Sequence, residues 1–71
     1  MTKEQRLEFL KQSFTALEGL TKEINEKTAY AKEGVSGGNA NLIIGGLAGI
    51  DQAAQHLKNI YDAMLFIHRG K

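Results

Sequence analysis

The 71-residue chain has no cysteine, no proline and no tryptophan. Without cysteine there are no disulfide staples and no thiolate metal sites. Without proline, no ring interrupts a helix. Neither sign of charge dominates: nine basic side chains stand against eight acidic ones. A general attraction to nucleic acid or to an anionic membrane is therefore not expected. Long hydrophobic runs are missing too. The longest apolar and small stretch, residues 42–50, is nine residues, whereas a membrane span needs about 20. The polar start, Met1 to Arg6, has no apolar stretch leading to a cleavage site and does not read as a signal peptide. A cytoplasmic setting is the expectation.

Glycine is abundant, with eight residues in 71. The length allows one domain. Chains below roughly 70–80 residues rarely stabilise themselves by a single core, and disulfides, a metal or a second chain usually help. With the first two unsupported, a second chain is the natural expectation.

The pattern predicts an all-α fold of two helices, at about residues 2–33 and 41–69, joined by a Gly-rich loop at 34–40. Thr2 followed by Gln5 forms a capping-box pair, and Glu4 suits the first turn. Leu7, Leu10, Phe14, Leu17, Thr21, Ile24, Thr28 and Ala31 recur in steps of three and four, a heptad stripe. Gly34 is placed to end the helix in the left-handed conformation, and Ser36, Asn39 or Asn41 to cap the next one. Gly70 is placed as the stop of the second helix. Helices of similar length and a short loop give an antiparallel hairpin.

The second helix carries two apolar seams. One runs through Ala40, Ile43, Leu47, Ile50, Ala54, Leu57, Tyr61 and Met64. The other runs through Leu42, Gly46, Gly49, Ala53, His56, Ile60, Ala63 and Ile67. One neighbouring helix cannot cover both, so the hairpin is expected to assemble with itself into a four-helix bundle or a higher oligomer. Gly45, Gly46 and Gly49, with Ala53, His56, Ile60 and Ile67, are the expected oligomer interface, because glycines four apart let helices cross closely.

Chemistry is poorly supported. Ser13 and Ser36 are the only serines, no nucleophile-base set is recognisable, and Asp51 and Asp62 would stand about 16 Å apart on one helix. His56 and His68 lack further ligands at metal-binding spacing. No enzyme activity, cofactor or metal is expected. Gly37, Gly38, Asn39 and Asn41 precede a helix N-terminus, where free N–H groups suit an anion. With Tyr30, Lys32 or Arg69 supplied by a neighbouring copy, they form the candidate ligand site.

Two resemblances bear on function. Leu47-Ala-Gly-Ile50-Asp51-Gln52-Ala53 resembles the Leu-x-x-Leu-Glu-Glu-Ala stretch of small phage-encoded helical hairpins that sequester nucleotide immune signals. It implies an oligomeric, non-enzymatic protein of phage counter-defence that holds a small phosphate-bearing ligand between copies. Met1-Thr2-Lys3 and Phe14 resemble the first helix of the small plasmid RNA-binding hairpin. Glu4 and Glu8 interleave with the basic Lys3, Arg6 and Lys11, so RNA ranks behind the other readings. The alternative is a helical interaction protein that inhibits or bridges a macromolecular partner.

Overall fold

A computed structural model describes residues 1–69, and the expected stop at Gly70 lies outside them. Two helices, α1 (Lys3–Gly37) and α2 (Ala40–His68), pack against each other as an antiparallel hairpin. None of the described residues forms a strand. The Cα envelope measures 53 × 17 × 11 Å. Among the described residues that is a single layer of two helices, with no second layer to enclose a core.

The start of α1 follows its sequence. The Thr2 hydroxyl accepts from the Gln5 amide at 3.1 Å, and the Gln5 side chain accepts from the Thr2 amide at 2.9 Å. The end differs from expectation. Gly34 does not terminate the helix; α1 runs on to Gly37, and Gly38 takes the left-handed conformation at φ 66°. The expected loop over 34–40 contracts to the pair Gly38-Asn39. A helix persists through 34–37 because Gly34 is a packing residue. It is buried, and a methyl group built on it would lie 2.7 Å from Leu42 Cβ and 2.9 Å from the Asn39 carbonyl.

The seam between the helices keeps Leu10, Leu17, Ile24 and Ala31 of the expected stripe, while the places expected for Phe14, Thr21 and Thr28 are taken by residues one position earlier. On α1 it runs through Leu10, Ser13, Leu17, Leu20, Ile24, Lys27, Ala31 and Gly34, all buried or half-buried. On α2 it takes alternate members of the two expected seams: Ile43, Gly46, Ile50, Ala53, Leu57, Ile60, Met64 and Ile67. Small residues win the central positions because they bring the backbones together. Ser13 tolerates burial by donating its hydroxyl to the Phe9 carbonyl at 2.8 Å, which satisfies the polar group within its own helix. Lys27 lays its aliphatic stem over Gly49, within 2.8 Å of where a Cβ would stand, as long basic side chains do while their charge stays in water.

Gly19 shows the opposite case. Nothing lies within 4 Å of a methyl group built there, and α1 continues through it. Gly19→Ala is expected to stabilise the chain by about 1 kcal/mol, the difference in helix propensity. Urea unfolding checks it, with a higher midpoint at unchanged slope.

Candidate functional site: an open apolar face

The hairpin seam consumes only part of the apolar surface. Among the described residues, Leu20, Ala53 and Met64 are the buried hydrophobics, and no large side chain is fully enclosed. Four members of the expected α1 stripe, Leu7, Phe14, Thr21 and Thr28, turn away from the seam onto one flank. On the same side of α2 stand Leu47, Ala54 and Tyr61. Phe14 is 58% exposed, Leu47 58% and Tyr61 51%. Toward the chain termini this flank deepens into a groove of about 370 Å³. Leu10, Phe14, Leu17, Tyr61, Met64 and Leu65 form its apolar walls and His68 stands at its end. Apart from His68 and the Tyr61 hydroxyl the lining is hydrocarbon or thioether, so the groove suits an apolar occupant and offers little to hold a charge.

The expected oligomer interface divides. Gly46 and Ala53 are buried inside the hairpin, where a methyl group on Gly46 would lie 2.7 Å from Ala31 Cβ. Ile60 and Ile67 are half-buried on the same seam. These four residues take part in the contact within one chain, and Ile60 also borders an open groove with His56 and Ala63. His56 stays exposed, and with Phe9, Ala16, Asn59 and Ala63 it borders a shallower groove on the opposite flank. Gly45 is exposed beneath Tyr30, whose ring carbon is 3.6 Å from a Cβ built on the glycine.

Within one chain, every residue of the expected ligand site except Arg69 stands at or near the turn. Gly37, Gly38, Asn39 and Asn41 stand at the turn, with Tyr30 and Lys32 on the last turns of α1. Arg69 is at the far end of the hairpin, beyond all of α2. At the start of α2 the Asn39 side chain already accepts from the Asn41 amide at 3.1 Å and the Leu42 amide at 3.4 Å. Those are donors an anion would need. Asn39→Ala is expected to cost about 1 kcal/mol through loss of this cap, read as a lower melting temperature. Asn39→Asp should retain most of the stability.

Among the described residues, no group of three or more His, Cys, Asp or Glu side chains could hold a metal ion, and no helix is long and apolar enough to cross a membrane. No family model matches the chain, and no curated protein or solved structure does either.

What sequence reasoning missed is the flank itself. The signal was present: Leu7, Phe14, Thr21, Thr28 and Val35 recur every seven residues on α1, and Ala40, Leu47, Ala54, Tyr61 and His68 do so on α2. Each set marks a face beside the seam rather than the seam.

Proposed function

We propose that the protein acts by binding and not by catalysis, as a helical hairpin whose open apolar flank is closed by a second copy into a four-helix bundle. The accessible surface carries this reading. At 5439 Å² it exceeds by about 1,000 Å² the roughly 4,400 Å² expected of a compact monomer of 7.8 kDa. A standard interface buries about 800 Å² per partner, so one copy accounts for the excess. Phe14, Leu47 and Tyr61, each more than half exposed on the open flank, are apolar surface for such a copy to cover.

Sedimentation equilibrium tests the proposal. The expected mass is at least two chains at high micromolar concentration. The melting temperature should rise with protein concentration, because assembly stabilises the folded chain by mass action. The mass of a single chain throughout, with a melting temperature independent of concentration, would overturn it.

A second reading is sequestration of a small phosphate-bearing ligand between copies. It is supported by Tyr30, which is 46% exposed beside the bare backbone of Gly45 and offers a flat stacking face. A panel of nucleotides and cyclic nucleotides in a thermal-shift assay decides it. A true ligand raises the melting temperature in proportion to its occupancy.

A further inference from the structure

The outer row of α2 has a symmetry that an unpaired helix does not need. Ile44, Leu47, Asp51, Ala54, Lys58, Tyr61 and Leu65 follow one another in alternating steps of three and four, so they share one face. All but Leu65 are exposed, and Leu65 is half-buried. Reversed end to end about Ala54, the row lies on itself with matching chemistry. Ile44 falls opposite Leu65 and Leu47 opposite Tyr61. Asp51 falls opposite Lys58, and Ala54 opposite Ala54. Resting on the self-association proposed above, we infer that α2 pairs antiparallel with α2 of a second copy, about a two-fold axis at Ala54.

Three features carry this. The small alanine at the axis lets the helices approach, and the large apolar pairs lie toward either end, where they close the groove beside Tyr61. Second, the charges are complementary only in this sense. An isologous contact repeats every pair twice, so Asp51 meets Lys58 at two symmetric places. A parallel pairing would set Asp51 against Asp51 and Lys58 against Lys58. Third, both charges are held out from the helix. Gln55 donates to the Asp51 carboxylate at 2.9 Å, and Lys58 reaches Asp62 at 3.6 Å with 73% of its side chain exposed. Each has room for a second partner across the interface. The neighbouring row of α1 is carried along: the same two-fold places Phe14 opposite Thr28 and Leu7 opposite Val35, a large residue against a smaller one each time.

Since the chain has no cysteine, single cysteines report the geometry directly. In the full chain, Ala54→Cys should crosslink to itself on mild oxidation. Leu47→Cys alone should not, but should crosslink with Tyr61→Cys in a mixture. Asp51→Lys and Lys58→Asp should each weaken the dimer by roughly tenfold or more, and the double exchange should restore it, because exposed ion pairs are individually weak but are here reversed twice. Circular dichroism confirms that each variant retains its helices.

Self-crosslinking of Leu47→Cys as efficient as that of Ala54→Cys would overturn the antiparallel pairing. A dimer unaffected by either charge reversal would place the interface on another face. Either result leaves the self-association standing. A wild-type chain that stays monomeric would remove both.

Discussion

Gly46→Ala is expected to destabilise the hairpin by about 1–3 kcal/mol, the usual range for overpacking, although alanine is the better helix former by about 1 kcal/mol. The new methyl group would sit 2.7 Å from Ala31 Cβ, 2.9 Å from the Lys27 carbonyl oxygen and 3.0 Å from the Ala31 amide nitrogen. Two of those three neighbours are backbone and cannot rotate away. The helices must separate at the middle of their closest approach, and the contacts of Ile43 and Ile50 on either side loosen with them. In a domain of this size each kcal/mol moves the melting temperature by roughly 4–8 °C, so the change is easily read. Gly34→Ala meets similar obstacles in Leu42, Asn39 and Ile43 and should behave alike. Gly19→Ala, with open space, should shift the other way. If Gly46→Ala proved neutral or stabilising, the close crossing of the helices would be wrong.

The second large effect is expected at Phe14. In an isolated hairpin its ring is mostly in water, and exchanges at such surface positions move stability by no more than about 0.5 kcal/mol. In the proposed bundle the ring is buried at two symmetric places. Burial of a phenylalanine contributes roughly 1.5–3 kcal/mol, and an unpaired carboxylate in its place adds several more against. Phe14→Glu should therefore weaken assembly at least a hundredfold while the chain remains helical. Sedimentation and circular dichroism on the same sample separate the two. Thr15→Glu, one residue along and pointing away from the seam, supplies the control and should leave the mass unchanged. Equal masses for wild type and Phe14→Glu under all conditions would place the flank outside any interface.

Much of the architecture is legible from pattern alone. The capping box, two long helices and their antiparallel packing follow from Thr2 and Gln5, from period-3.6 apolar spacing and from a single cluster of turn residues. The phase of each stripe is less legible. Leu7 and Phe14 look like core residues by hydrophobicity, yet Ser13 and Gly34 are the buried ones, because backbone proximity at the seam favours small side chains. Hydrophobicity ranks residues by transfer free energy and says nothing about how closely two backbones approach. The turn was obscured for a related reason. Gly34, Gly37 and Gly38 are equally competent at positive φ, and packing against Leu42 and Ile43 is what keeps Gly34 helical. At the candidate anion site the sequence offers Ser36, Asn39 and Asn41 alike as caps, and which acceptor meets the first amides of α2 depends on the side-chain conformation of Asn39.

The turn has a consequence for assembly. Among the described residues, Gly38 is the one position at positive φ, and Asn39, at φ −103° and ψ 98°, is extended. Restoring helical dihedrals at these two residues would join α1 and α2 into one unbroken rod. Every contact between α1 and α2 could then be made with equal geometry between two straight chains lying side by side. Folded hairpins and exchanged rods would share their seam and differ only at this hinge. Gly38→Ala, which removes the freedom to turn left-handed, would favour the rods.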